Sequence, residues 1–83
     1  MTWNYRVIRQ RHAHPDEDYY QIHEVFYDEN GEIDGWTIDA VAAGGYTIEE
    51  LKDDIIHQVN AIDKPTLEEY IDEEGKEKLR EIH

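Results

Sequence analysis

The sequence predicts an α+β fold: a three-stranded antiparallel meander with one long helix packed on one face. Two observations indicate this fold. First, β-rich segments flank Asp28-Glu29-Asn30-Gly31, and Asn-Gly is a favoured pair for a tight hairpin turn. Second, a helix start follows Gly44-Gly45, where Thr47 and Glu50 have the spacing of a capping box. A short C-terminal helix or an extended tail completes the predicted chain.

Length and composition favour a single domain spanning residues 1–83, with its core in residues 3–63 and a tail in residues 64–83. The chain has no cysteine, which argues against a disulfide framework and favours a cytoplasmic setting. No apolar run approaches the roughly 20 residues that a membrane span needs. We therefore expect neither a signal peptide nor a transmembrane helix.

Three segments have the composition and the alternation of β-strands. A turn-rich segment, His12 to Asp18, separates the first two and contains Pro15. Glu24 interrupts the apolar face of the second strand, and either an edge position or a bulge near His23 accounts for it. The predicted strands are Trp3 to Arg11, Tyr19 to Tyr27 and Glu32 to Ala42.

The predicted helix continues to Lys64-Pro65, because the residue before a proline avoids the helical region. Its apolar residues fall within a stripe roughly 80° wide at about 100° per residue, so we expect this stripe to lie on the sheet. The predicted core joins the stripe to the inner faces of the strands. It comprises Ile22, Phe26, Trp36, Ile38, Leu51, Ile55, Val59 and Ile62.

The tail after Pro65 allows two interpretations. Thr66-Leu67-Glu68-Glu69 repeats the pattern of the first helix start, and this favours a short second helix up to Gly75. The alternative is an extended edge strand from Thr66 to Ile71, in which apolar and polar residues alternate.

The net charge of −13, from 8 basic and 21 acidic residues, bears most directly on function. Nucleic-acid affinity depends on Lys and Arg contacts to phosphate, so direct DNA or RNA binding is disfavoured. A field of this sign speeds encounter with a basic partner. We therefore expect a non-catalytic, acidic protein-binding module that neutralises a basic protein or forms a homodimer through the open face or edge of the sheet. A nucleic-acid mimic is a weaker alternative.

Aromatic residues are too many for one helix to cover on a three-stranded sheet. Some must lie on the uncovered face or at an edge, where exposed aromatic clusters rimmed by charge mark binding surfaces. Basic residues of the first strand could pair with neighbouring acids or protect a sheet edge. The interface candidates are Tyr5, Tyr19, Tyr27, Arg9 and Arg11.

Other chemistry has weaker support, and we expect no cofactor. His12 and His14 alternate on an extended chain and, with Asp16, could bind zinc if the loop held them in place. The enzymatic alternative is a small metal-assisted hydrolase. It would need the carboxylates of Glu24, Asp34 and Asp39 within a few ångströms of one another.

Two resemblances to known families extend this interpretation. The segments Tyr19 to Tyr27 and Glu32 to Ala42, the Gly44-Gly45 break and the run Thr47-Ile48-Glu49-Glu50-Leu51 resemble the β-β-β-α unit of HicB-like antitoxin domains. A second set is similar to a family of short bacterial proteins to which no activity is assigned. It consists of Ile22-His23-Glu24-Val25-Phe26-Tyr27-Asp28, Gly35-Trp36-Thr37 and Ala61-Ile62-Asp63-Lys64-Pro65.

The first resemblance implies an antitoxin-like role. The antitoxin domains usually carry a proline-glycine pair before the helix and a DNA-binding segment after it. Here Asp39-Ala40-Val41 stands in place of the proline, and only about twenty residues follow Pro65. What the resemblance implies is therefore an acidic sheet that covers a basic toxin, without operator binding.

Overall fold

A computed structural model describes residues 2–14 and 17–82, apart from the side chains of residues 11–14. The described elements form one mixed sheet in the order β3-β2-β1-β4-β5, with one helix. Neighbouring strands are antiparallel except β1 and β4, which are parallel. In chain order the elements are β1 (Thr2–His14), β2 (Glu17–Tyr27), β3 (Ile33–Trp36), α1 (Ile48–Ile62), β4 (Thr66–Ile71) and β5 (Glu77–Ile82).

The predicted three-stranded antiparallel meander is therefore wrong, although the fold remains α+β. The segment after Pro65 contributes two strands instead of the favoured short helix. The alternative strand from Thr66 to Ile71 is present, but it lies inside the sheet between β1 and β5. Its Leu67 pairs with Ile8 of β1, and both side chains are completely buried. Burial of this apolar pair outweighs the weak local preference for a helix.

The other strand boundaries also differ from the prediction. β1 and β2 extend to His14 and from Glu17, into the segment predicted as a loop. β3 ends at Trp36 instead of Ala42, and Ile38 beyond it is 90% exposed. Glu24 lies on an interior strand, and the β1–β2 register shows no shift beside it, so neither the edge nor the bulge near His23 accounts for it.

The two hairpins with short turns close in the same way. In the first, the amide of Gly31 donates to the carbonyl of Asp28 over 3.0 Å, and the Asp28 carboxylate accepts the amides of Asn30 and Glu32. Gly31 has a φ of 80°, in the left-handed region that glycine favours. The second turn, Asp72-Glu73-Glu74-Gly75, has the same set of bonds, and Gly75 has a φ of 82°.

The core lies on the face of the sheet that the register assigns to Ile8. Leu67 of β4 pairs directly with Ile8, and Val25 of β2 lies on the same face. Leu79 of β5 also lies on this face, because it pairs with Glu69, which is two residues after Leu67 on β4. All four apolar side chains are buried, and Tyr27, Ile33 and Trp36 pack against them. The alternation predicted for β2 is correct, but the buried face is that of Val25 and not that of Ile22 and Phe26.

The sheet is strongly curled around this core. The indole N–H of Trp36 on β3 donates to the carboxylate of Glu69 on β4 over 3.2 Å. Two strands separate β3 from β4, and in a flat sheet that arrangement would place them about 14 Å apart. The reverse face of the sheet, predicted to be open for a partner, is thus closed by the curl and by the C-terminal hairpin.

The helix packs differently from the prediction. Ala61 is its buried residue, and Asp54 accepts a 2.5 Å hydrogen bond from the Tyr5 hydroxyl of β1. At about 100° per residue, Asp54 and Ala61 lie roughly 100° to 120° around the helix from the centre of the apolar stripe. The stripe residues Ile55, Val59 and Ile62 are accordingly exposed, so their predicted place in the core is wrong. The curled sheet already buries its own apolar face, and the helix therefore only flanks it.

Two arginines of β1, Arg6 and Arg9, tie the C-terminal hairpin to the rest of the sheet. Arg6 donates to the carbonyl of Pro65 and to the hydroxyl of Tyr27. Glu68, only 2% exposed, binds Arg9 of β1 and Arg80 of β5. Buried charges are tolerated only when paired in this way, so these bonds support the placement of β4 beside β1.

Candidate protein-binding surfaces

Several of the predicted interface residues are engaged within the chain. The Tyr5 hydroxyl donates to Asp54, and the Tyr27 hydroxyl donates to Asn4 over 2.8 Å. Arg9 forms an ion pair with Glu68, which crosses from β1 to β4. These side chains therefore hold elements of the fold together.

Tyr19, by contrast, is an exposed side chain of β2 that also makes contacts within the chain. The side chain of Arg11 lies outside the described residues, and so does the predicted zinc set of His12, His14 and Asp16. For these residues the sequence predictions stay predictions.

The three carboxylates of the hydrolase alternative occupy separate elements. Glu24 is on β2 opposite Tyr5, Asp34 is on β3, and Asp39 follows β3 in an exposed position. In the described part of the chain, no group of three or more histidines, aspartates and glutamates could hold a metal ion. The geometry thus gives the hydrolase no support.

Curling brings the two sheet edges to opposite sides of one cleft. β3 and β5 are the terminal strands, and a flat sheet of this order would hold them about 19 Å apart. Instead they line a common cleft of about 370 Å³. We call it the edge cleft. Its lining residues are Glu32, Ile33, Asp34, Trp36, Glu77, Lys78 and Leu79.

The edge cleft has an acidic rim and an apolar floor. Three carboxylates line it, from Glu32, Asp34 and Glu77. The one cation, Lys78, has its ammonium 3.2 Å from Asp72, which raises the pKa of the lysine. Since Asp72 already neutralises that lysine, the rim carries a net negative charge toward solvent.

The edge strands bordering the cleft each pair on one side only, within the part of the chain that is described. Their other sides present backbone N–H and C=O groups, which can accept an added strand. The arrangement can therefore hold an extended peptide through its backbone and through its basic side chains.

The second surface is the apolar stripe of α1, defined by Ile48, Leu51, Ile55, Val59 and Ile62. Leu51 is half-buried, and the other four residues are between 45% and 77% exposed. Hydrophobic residues are commonly exposed singly, but a continuous stripe on one helix face is typical of an interaction surface.

A hydrogen-bonded clamp sets the orientation of the helix. One oxygen of Asp54 accepts from the Tyr5 hydroxyl, and the other accepts from the amide of Gly44 over 2.9 Å. The bond to Asp54 is the main cause that raises the pKa of Tyr5 to about 12. The Tyr5 hydroxyl and the Gly44 amide in turn lower the pKa of Asp54. This clamp holds the Asp54 side of the helix on β1 and leaves the stripe turned away.

Sequence reasoning missed the edge cleft because it missed β5. A signal was present: Asp72-Glu73-Glu74-Gly75 repeats the Asp28-Glu29-Asn30-Gly31 pattern of the predicted hairpin. Reading the second pattern as a turn would have placed a strand on each side of it. The curl itself has no comparable signature in the sequence.

The fold and the two surfaces define a small α+β protein with a curled mixed sheet and a flanking amphipathic helix. Among the described residues, no helix is both long enough and apolar enough to cross a bilayer. No family model, curated protein or solved structure matches the chain significantly.

Proposed function

We propose that this protein is a non-catalytic binding module that takes a basic, extended segment of a partner protein into the edge cleft. The observation that carries the proposal is that one groove combines two free strand edges with an acidic rim. Backbone hydrogen bonds to an edge supply affinity in strand addition, and the flanking side chains supply specificity.

The charge of the whole chain supports the same partner. A net charge of −13 attracts basic proteins over distances comparable to the Debye length, about 8 Å at physiological salt. Trp36 in the cleft also offers an aromatic surface, to which Lys and Arg side chains are attracted. A partner with alternating basic and apolar residues would satisfy both the rim and the floor.

The cellular setting that we propose is cytoplasmic, in keeping with the absence of cysteine. The antitoxin-like role, in which the basic partner is a toxin, stays a prediction from the resemblance of residues 19–51. Both the antitoxin-like role and the proposed function require a basic partner.

The test is a titration with a capped peptide of eight residues that alternates lysine and valine, followed by the fluorescence of Trp36 in a Trp3→Phe background. We expect saturable binding that weakens as salt rises, because ion pairs with the rim are screened. The same peptide with glutamate in place of lysine should not bind.

A matched pair of variants separates the cleft from the general charge. Asp34→Asn with Glu77→Gln removes two charges from the rim, and we expect the affinity for the lysine peptide to fall roughly tenfold or more. Glu49→Gln with Asp53→Asn removes two charges from the exposed surface of α1 and should have a smaller effect. Equal losses in the two variants, or no binding to the parent protein, would contradict the proposal.

A further inference from the structure

The apolar stripe of α1 has the spacing of a helix-pairing seam. Ile48, Ile55 and Ile62 lie seven residues apart, and Leu51 and Val59 fall beside them. A seven-residue apolar repeat keeps one helix face in contact with another helix along its length. Because the clamp on Asp54 turns this face away from the sheet, the chain itself leaves much of it exposed.

Charge is segregated along the helix. Its N-terminal half carries Glu49, Glu50, Asp53 and Asp54, with Lys52 as the one cation. Residues 55–62 contain no acidic or basic residue apart from His57. A parallel pair of these helices would place the two acidic halves side by side. An antiparallel pair places each acidic half against an uncharged half and also opposes the two helix dipoles favourably.

From this combination we propose that the protein forms a two-fold symmetric homodimer through antiparallel pairing of α1 with α1 of a second copy. The two-fold axis passes near Ile55, the middle residue of the repeat, and Ile48 of one protomer lies near Ile62 of its partner. A two-fold interface requires such a self-complementary surface. This surface is separate from the edge cleft, so the dimer leaves both clefts open.

Sedimentation equilibrium over a range of protein concentrations tests the dimer, and the chain offers a matched control. Ile55 and Ile56 are 45% and 48% exposed, but only Ile55 lies on the repeat. We expect Ile55→Gln to weaken the dimer roughly 10- to 100-fold, because the substitution places two polar groups at the axis. Ile56→Gln should change the dissociation constant by less than about threefold.

Neither substitution alters the formal charge or a buried residue, so both variants should keep the helical circular dichroism of the parent. A parent protein that stays monomeric at all concentrations would overturn the proposal. So would a dimer that Ile55→Gln and Ile56→Gln weaken equally. Rising salt should leave the dimer intact or strengthen it by screening repulsion between the two acidic chains, the opposite of its effect on the lysine peptide.

Cysteine cross-linking tests the antiparallel arrangement. Because the sequence contains no cysteine, each introduced cysteine can form a disulfide only with another introduced cysteine. Under mild oxidation, Ile55→Cys should form a disulfide with its own copy. Ile48→Cys should cross-link when mixed with Ile62→Cys but not when alone. Self-cross-linking of Ile48→Cys and of Ile62→Cys, each by itself, would instead indicate a parallel pair and overturn the proposed geometry.

Discussion

Truncating a core residue should cost far more stability than truncating a residue of the apolar stripe, and Leu67→Ala with Ile62→Ala provides the comparison. Leu67 is completely buried, whereas Ile62 is 67% exposed. Leu67→Ala removes three carbon atoms from the core, worth about 2.4 kcal/mol at about 0.8 kcal/mol each. The cavity left behind raises the expected loss to about 3–5 kcal/mol.

For Ile62→Ala, only about a third of the same transfer free energy applies, or about 0.8 kcal/mol. Alanine is also the better helix former, by a few tenths of a kcal/mol, so the net loss should be about 0.5 kcal/mol. The total stability of a chain of this length is about 4–12 kcal/mol. Leu67→Ala therefore removes a large share of it, while Ile62→Ala leaves the fold nearly unaffected.

Urea unfolding at low protein concentration, where the dimer has dissociated, measures both changes. A shift of the midpoint without a change of slope reports a stability difference. Similar losses in the two variants, or a larger loss for Ile62→Ala, would refute the placement of the core inside the curled sheet.

Two further predictions concern the turn and the clamp. Gly75→Ala should destabilise the protein by about 1–2 kcal/mol, because the φ of 82° at this position is strained for an L-residue. Gly35→Ala is the control and should be nearly neutral, because Gly35 lacks a positive φ and has open space around it. Thermal unfolding compares the two variants, and equal effects would contradict the turn geometry. The raised pKa of Tyr5, about 12 against a usual 10, means that its bond to Asp54 stabilises the fold fully below pH 10 and is lost as the pH rises toward 12. The lowered pKa of Asp54 means that the same clamp is also lost as the pH falls through the titration of that carboxylate. Tyr5→Phe should therefore lower stability at neutral pH, and the difference from the parent protein should shrink between pH 10 and pH 12; a constant difference in urea midpoint across this range would contradict the clamp.

The part of the fold that could be predicted from sequence has local causes. The capping box at Thr47 and Glu50 is present, with the Thr47 hydroxyl accepting the Glu50 amide over 3.1 Å. The helix ends before Pro65 as predicted, and the Asn30-Gly31 hairpin joins β2 to β3. Each of these features depends on a few consecutive residues, whose conformation their own side chains determine.

The part that could not be predicted depends on contacts between distant segments. A period-two pattern shows that a strand has two faces, but not which of them is buried, and in β2 the core takes the face of Val25. Likewise, the apolar stripe of α1 predicts that this helix face is buried, but it does not identify the surface that buries it. The clamp between Tyr5 and Asp54, which are 49 positions apart, turns the stripe outward. No local sequence pattern predicts a contact between two such distant residues.

The candidate surfaces follow from the same distant contacts. The sequence indicates an acidic chain with an amphipathic helix, and from these features it predicts a protein partner. It places that partner on the open face or at an edge of the sheet, and the core occupies that face. β4 and β5 extend the sheet beyond β1, and the curl that brings β5 toward β3 closes this face and forms the edge cleft.

The curl is the central claim, since the core, the edge cleft and the outward stripe all depend on it. Nuclear Overhauser effects from the indole N–H of Trp36 test it most directly. We expect cross-peaks to the side-chain protons of Glu69, whose carboxylate accepts this N–H, and to the methyl groups of Leu79 across the cleft. Cross-peaks confined to residues of β2 and β3 would show a flat sheet and contradict the account.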